Sequence, residues 1–279
     1  MTLTEALKMG EAELAKNEVP EAKLNAWYLF SYAFGCDRTR FFMDASSEAQ
    51  TDKVDQYKSF LKRRASREPL EHIIGETEFM GLSFWVNEDV LIPRQDTECL
   101  VEHVLPYVGE KRVLDLCTGS GCIGISLKVL GKCSSMTLAD ISEKALAIAG
   151  RNADRNQADV TLVQGDLFEN ITGTYDVIVS NPPYIRTEEI KALMPEVKDH
   201  EPVLALDGSE DGLLFYNSII EQAPSYLEPE GILAFEIGCD QGEAVKTAMV
   251  RAGFSHVKIE KDLAGLDRIV SGWFGGKDV

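Results

Sequence analysis

The sequence predicts an α/β protein: a mostly parallel β-sheet covered by helices on both faces, with a small helical domain ahead of it. Three observations predict this. From about residue 96 onward, short apolar runs of strand character alternate with helical periodicity, the pattern of a parallel sheet buried on both faces. Residues 1–70 carry only helical stripes. Between them, residues 71–95 hold short β-rich runs broken by Gly and Asn, which read as a hairpin connector. The expected division is therefore 1–70, 71–95 and 96–279.

In the first segment Leu3, Leu7 and Leu14 share one helical face, Pro20 opens a second helix at a first-turn position, and Val54, Tyr57 and Leu61 stripe a third. The connector contains Ile73-Ile74-Gly75, Phe79-Met80-Gly81-Leu82 and Phe84-Trp85-Val86. Asp96 or Thr97 is the expected cap of a helix carrying Leu100, Val101 and Val104. Val113–Leu116, Met136–Ala139, Val160–Val163 and Tyr175–Val179 read as strands, with helices from Ile123 and from a Ser142 cap between them. A helix near Leu213–Gln222, a strand at Ile232–Glu236, a helix from Gly242 and two strands near Val257–Ile259 and Arg268–Val270 complete the alternation.

Composition excludes several function classes. No run of about 18 apolar residues exists, so no membrane span is expected. Residues 1–17 lack the charged start and apolar block of an export signal, so the expected compartment is the cytoplasm. The six cysteines form no C-x-x-C pair and the four histidines are scattered, so no metal site is expected and the thiols read as small buried residues. The net charge is −18, and residues 76–279 carry 17 Lys+Arg against 34 Asp+Glu. A domain so acidic repels a polyanion, so direct nucleic-acid binding is not expected. The basic cluster Lys62-Arg63-Arg64 with Arg67 reads as a solvated helix face or a partner contact.

The first strand of the α/β region ends in Asp115-Leu116-Cys117-Thr118-Gly119-Ser120-Gly121. Glycines turn the chain tightly from strand into helix and leave room for a ligand near the backbone. An acid just before the loop, Asp115, disfavours a pyrophosphate and attracts the ammonium and sulfonium of S-adenosylmethionine. Cys117 carries a Cβ, so ordinary negative φ is expected there. Asp140 ends the second strand, where a carboxylate accepts two hydrogen bonds from a ribose diol or simply caps the helix at Ser142. Asp166 and Leu167 follow the third strand and suit the amine and face of adenine. After the fourth strand comes Asn181-Pro182-Pro183-Tyr184. The two prolines lock φ and remove two donors, leaving the carbonyls of Asn181 and Pro182 uncontested as acceptors. The Asn181 amide oxygen is a third acceptor, or its –NH2 a donor, and Tyr184 offers a flat face. This set fits a planar –NH2 group. Two acceptors take its hydrogens, push electron density onto nitrogen and allow in-line attack on a methyl group.

At these residues the sequence resembles a known family. The Asn-Pro-Pro-Tyr element is similar to that of amino-group methyltransferases acting on DNA adenine, RNA guanine and protein glutamine. Glu71-His72-Ile73-Ile74-Gly75, Leu91–Glu98, Leu204–Gly212 and Asp262–Arg268 narrow the resemblance to the release factor glutamine methyltransferases. The resemblance implies a Rossmann-like seven-stranded methyltransferase sheet with a helical N-terminal domain joined by a β-hairpin. It implies transfer of a methyl group from S-adenosylmethionine, giving S-adenosylhomocysteine, to the Gln of the Gly-Gly-Gln loop in peptide chain release factors. Asn181, Pro182, Pro183 and Tyr184 would hold that glutamine; Cys117, Thr118, Gly119, Ser120, Gly121, Asp140, Asp166 and Leu167 would line the cofactor. Two positions depart from the pattern: Cys117 where many members have Gly, and Gln95 where many have Pro.

Three rival functions share parts of this pattern. A DNA or RNA adenine-type methyltransferase would use the same turn on a flipped base, but should carry a basic recognition domain. A non-enzymatic factor binding release factors or ribosomes predicts a decayed site, whereas Asn181 and Tyr184 are both present. A dehydrogenase would need an acid/base set that does not accompany the loop.

Overall fold

A computed structural model describes residues 1–275, which divide into two compact units. The first comprises Met1–Gly75 together with Met194–His200. Its helices are α1 (Leu3–Lys16), α2 (Ala22–Phe34), α3 (Arg38–Asp44), α4 (Thr51–Ala65) and α5 (Leu70–Ile74), with a further short helix at Pro195–Lys198. Thr2 caps α1 by accepting from the Glu5 N–H, and the Glu5 carboxylate in turn accepts from the Thr2 N–H. The core gathers Leu14, Trp27, Leu29, Phe30, Tyr57, Leu61 and Ile73. Gly10 is required in α1: a Cβ there would lie 1.8 Å from the Tyr57 hydroxyl, which donates to the Ala26 carbonyl at 3.0 Å.

Several expectations shift in this unit. Pro20 lies two residues before α2, outside its first turn. α3 and α5 are additional, and Ile73-Ile74 is helical rather than extended. Ile73 packs into the helical core, and that burial overrides its β-branched preference. Arg64 is buried, not solvated: its Nη2 donates to Glu196 Oε1 at 2.9 Å, and Arg67 adds two bonds of 2.7 Å to the same carboxylate.

The second unit comprises Glu76–Leu193 and residues from Glu201 on. It opens with an antiparallel hairpin, β1 (Glu76–Phe79) and β2 (Leu82–Trp85). There follow α6 (Gln95–Val104), β3 (Arg112–Leu116), α7 (Cys122–Gly131), β4 (Ser135–Asp140), α8 (Glu143–Arg155), β5 (Thr161–Gln164) and β6 (Tyr175–Ser180). Counting Pro195–Lys198 as α9, the chain continues through α10 (Leu214–Gln222), β7 (Leu227–Glu236), α11 (Gly242–Arg251), β8 (Phe254–Lys261) and β9 (Asp267–Phe274). The sheet has seven strands in the order β5-β4-β3-β6-β7-β9-β8. β5 through β7 are parallel, and β9 runs antiparallel between β7 and β8. The seven-stranded α/β sheet expected from the sequence is therefore present.

Two core layers flank this sheet, one carrying Leu100, Val104, Ile125 and Leu138, the other Leu116, Phe168, Ile219 and Phe235. Ser142 caps α8 as expected, accepting from the Ala145 N–H. α6 begins two or three residues earlier than expected, at Gln95, with Arg94 in the cap position, so Asp96 and Thr97 lie in its first turn. Strand order reverses between β3 and β6, because β3 leads outward to β4 and the chain later returns to β6 on its other side. Ligands of open α/β sheets bind beyond the strand ends at such a switch point. Among the described residues no helix is long and apolar enough to cross a membrane.

Candidate active site

A cavity of about 360 Å³ opens beyond the ends of β3, β4, β5 and β6. Its floor is the β3–α7 loop. Cys117, Gly119 and Gly121 all take positive φ, of 57°, 54° and 82°. Cys117 thus contradicts the expectation of ordinary φ. A left-handed non-Gly residue costs of order 1–3 kcal/mol and persists where its neighbours hold it. Here the Thr118 N–H is fixed to the Ala139 carbonyl at 3.0 Å and the Gly119 N–H to Asp140 Oδ2 at 2.9 Å. Burial pushes the Cys117 thiol well above its ordinary value, so it is a neutral wall of the cavity.

Asp115 also departs from expectation. It does not face the cavity. It lies wholly buried beneath the loop, where Oδ2 accepts from the Thr118 hydroxyl at 2.6 Å and from the Gly124 N–H at 2.9 Å. Gly124 makes that approach possible, since a Cβ there would sit 2.2 Å from Leu138 and 3.0 Å from Asp115 Oδ2. Asp115 Oδ1 has no partner. Burial pushes this carboxyl up to about 7, although both donors pull it down.

Asp140 faces the cavity. Each oxygen takes one backbone donor, Gly119 N–H on Oδ2 and Ser142 N–H on Oδ1, both at 2.9 Å. The two remaining lone-pair directions stay available to a ligand. Burial raises its carboxyl too, and the backbone donors oppose it. Asp166 and Leu167 line the same cavity, as do Thr118 and Ser120. Gly121 does not line it. It forms the N-terminal cap of α7, where a Cβ would meet Ile125 at 2.8 Å.

Asn181 and Pro183 reach the cavity, whereas Pro182 and Tyr184 are not among its lining residues. The turn is braced from behind. Ser180 donates to the Leu116 carbonyl at 2.8 Å, and Gln241 Nε2 donates to the Tyr184 carbonyl at 3.0 Å. Gly208 and Gly212 let a second loop pack on Tyr184; Cβ atoms there would lie 2.7 Å from its Cα and 2.4 Å from its carbonyl oxygen. Asn181 Nδ2 points to Thr97 Oγ1 at 3.5 Å, and the Tyr184 hydroxyl donates to Glu236 Oε1 at 3.3 Å.

The opposite wall, formed by Pro202, Leu204, Ala205, Leu214 and Phe215, lies outside the site residues expected from the sequence. Arg94 also lines the cavity, and Glu201 Oε2 holds it at 2.6 Å. Leu91–Glu98 and Leu204–Gly212 were the signals available, since both segments carried the resemblance. Among the described residues no group of three His, Cys, Asp or Glu is placed to hold a metal.

The chain matches the family model of the PrmC N-terminal domain over residues 5–75 and that of the methyltransferase small domain over 94–209. It is 41% identical, over 98% of its length and 97% of the other's, to a release factor glutamine methyltransferase of Geobacter sulfurreducens. The chain belongs to the release factor glutamine methyltransferases. A second member, from Clostridium acetobutylicum, is 40% identical over 89% of this chain and 90% of that protein. A methyltransferase structure from Pyrococcus furiosus shares the fold, with a TM-score of 0.55 and 22% identity over 71% of this chain and 90% of that one. Family membership turns the cavity's chemistry into a direct test. Its charged floor offers acids and backbone amides, and Asp115 keeps an open oxygen beneath it. That set fits a cationic sulfonium ligand with a ribose better than a polyphosphate.

Proposed function

We propose that the protein transfers the methyl group of S-adenosylmethionine to the side-chain amide nitrogen of the glutamine in the Gly-Gly-Gln motif of peptide chain release factors. The single observation that carries this reading is the rigid Asn181–Tyr184 turn beside an acid-lined cavity at the sheet's switch point. In this reading the loop Cys117–Gly121 cradles the cofactor's amino-acid end, Asp140 accepts from its ribose, and Asp166 with Leu167 holds its adenine. When bound, S-adenosylmethionine supplies an electrophilic methyl carbon.

The chain's own residues then act on the amide. Its nitrogen lone pair is delocalised into the carbonyl and attacks poorly. The Asn181 side-chain oxygen and the carbonyls of the Asn181-Pro182 segment accept the two N–H hydrogens and favour pyramidal nitrogen. With Nδ2 turned to Thr97, Asn181 has its oxygen left for this purpose, which supports acceptance over donation. The proton lost from the product amide passes to water, so no strong base is needed. Tyr184 presents its ring to the amide plane. Residues 1–70 recognise the release factor, 71–95 connect, and 96–279 catalyse. The reaction belongs to the cytoplasm, where translation factors work, and involves no direct contact with nucleic acid.

Incubating the protein with labelled cofactor and, in parallel, purified release factor, a Gly-Gly-Gln peptide and duplex DNA tests this. Label on the release factor glutamine is expected; label on DNA alone would overturn the reading.

A further inference from the structure

Glu236 ends β7 and is 2% exposed. Its Oε1 accepts from the Tyr184 hydroxyl at 3.3 Å, while Oε2 is buried without a hydrogen-bond partner. Its main-chain carbonyl is separately fixed by the Tyr216 hydroxyl at 3.0 Å, so the strand end is rigid without the carboxylate. Burial pushes the Glu236 carboxyl up, and the Thr97 hydroxyl, the Arg268 charge and the Tyr184 hydroxyl pull it down. A buried carboxylate with an open oxygen is a costly way to fill space, which an apolar side chain would fill better.

Tyr184 is the group that uses it. At the backbone end, Gln241 and the close approach of Gly208 and Gly212 fix this residue. At the other end, the hydroxyl's hydrogen bond among the described residues is to Glu236. Holding both ends sets χ1 and the direction in which the ring points. Thr97, 2% exposed, brings Asn181 to the same corner through its Oγ1.

We infer that Glu236 is a positioning residue for methyl transfer, acting through the Tyr184 hydroxyl to hold that ring against the substrate amide. The inference rests on the glutamine-methylation reading above. Glu236 touches no reacting atom; it acts by orientation. Misplacement of an orienting group by about 1 Å costs up to about 10²-fold in rate.

The test is a double-mutant cycle on single-turnover transfer to release factor, with thermal midpoint and cofactor affinity measured alongside. E236M, which keeps the shape and loses the acceptor, and Y184F, which loses the donor, should each slow transfer by about 10- to 100-fold. The double variant should be no slower than either single one, because both remove one bond. E236Q, which keeps an acceptor oxygen, should stay within about threefold of wild type. Cofactor affinity should not move in any variant. Multiplying losses in the double variant, or E236M at wild-type rate in a folded protein, would overturn the inference. If E236M does not fold, the cycle runs with E236Q: its small loss must vanish in the Y184F background, and persistence of that loss also overturns the inference. A wild-type protein that leaves release factor unmethylated would instead sink the substrate reading itself, which no variant result can do.

Discussion

Glu196 and Asp115 are both carboxylates withdrawn from solvent, and the two units treat them in opposite ways. In the helical unit, Glu196 takes three bonds from the guanidiniums of Arg64 and Arg67. Burial alone would raise its carboxyl, but the Arg67 and Arg64 bonds win and hold it at about 2. In the sheet unit, Asp115 has no cation, only two neutral donors on one oxygen, and burial carries it to about 7. Glu236 shares the raised carboxyl and the open oxygen, though the Arg268 charge acts on it. The difference separates two uses of buried charge. A fully paired acid is an internal clamp. An acid left short of positive charge, as Asp115 is beneath the β3–α7 loop, is one that a cationic ligand in the proposed cofactor cavity would stabilise.

The largest expected effect is on the clamp. Glu196→Ala leaves Arg64 buried and uncompensated, which should cost about 3–5 kcal/mol of stability. Urea unfolding measures it directly. A loss below about 1 kcal/mol would mean that the pair behaves like a surface salt bridge, and the contrast with Asp115 would collapse.

Next comes the open side. Asn181→Ala should lower the single-turnover rate by about 10²–10³ with cofactor affinity nearly intact, because the interaction strengthens only as the nitrogen pyramidalises. Asn181→Asp sharpens this. It keeps an acceptor at the cavity and should retain more activity than Ala. Asp no better than Ala would assign Asn181 the donor role instead.

Asp140→Ala comes third. Removing the acceptor should weaken S-adenosylmethionine binding by roughly 1.5–3 kcal/mol per charge-assisted bond lost. Calorimetry reads this. Unchanged affinity would show that Asp140 serves only its two backbone donors, Gly119 and Ser142.

The same contrast explains what the sequence could disclose. Val113, Leu114, Val177 and Val179 are buried from both faces, so their strands read as continuous apolar runs. Glycine and proline spacing marked the β3–α7 loop and the Asn181–Tyr184 turn, because those residue types act through their own backbone. Pairings across long sequence gaps left no such trace. Arg64 and Glu196 are 132 residues apart, and neither letter announces the other. Cys117's left-handed φ is imposed by Ala139 and Asp140 on the adjacent strand, against its own preference. The cavity wall at Pro202–Ala205 and Phe215 comes from irregular backbone with no period to read.

The last effect is also the most direct comparison of the two acids, since it follows both along one pH axis. Asp115 unfolds to an ordinary carboxyl near 3.8 and folds to one near 7. Between those values the folded protein holds the extra proton. Its contribution is therefore fully present below about 3.8 and is lost as pH rises to 7, at no more than about 1.4 kcal/mol per pH unit. Glu196 runs the other way. Its contribution is present above 4.5 and is lost as pH falls toward 2. Asp140 and Glu236 are raised as well, so the total slope above pH 4.5 is shared. Asp115→Asn isolates one proton: the stability difference between wild type and variant should shrink as pH climbs from 4 to 7 and then level off. Saturating S-adenosylmethionine should flatten that difference curve, because a nearby sulfonium favours the ionised form and lowers the folded carboxyl. A curve that is flat without cofactor would remove Asp115 from the set of strained acids. A slope that ignores the cofactor would leave it buried and strained, but with no part in receiving the cation.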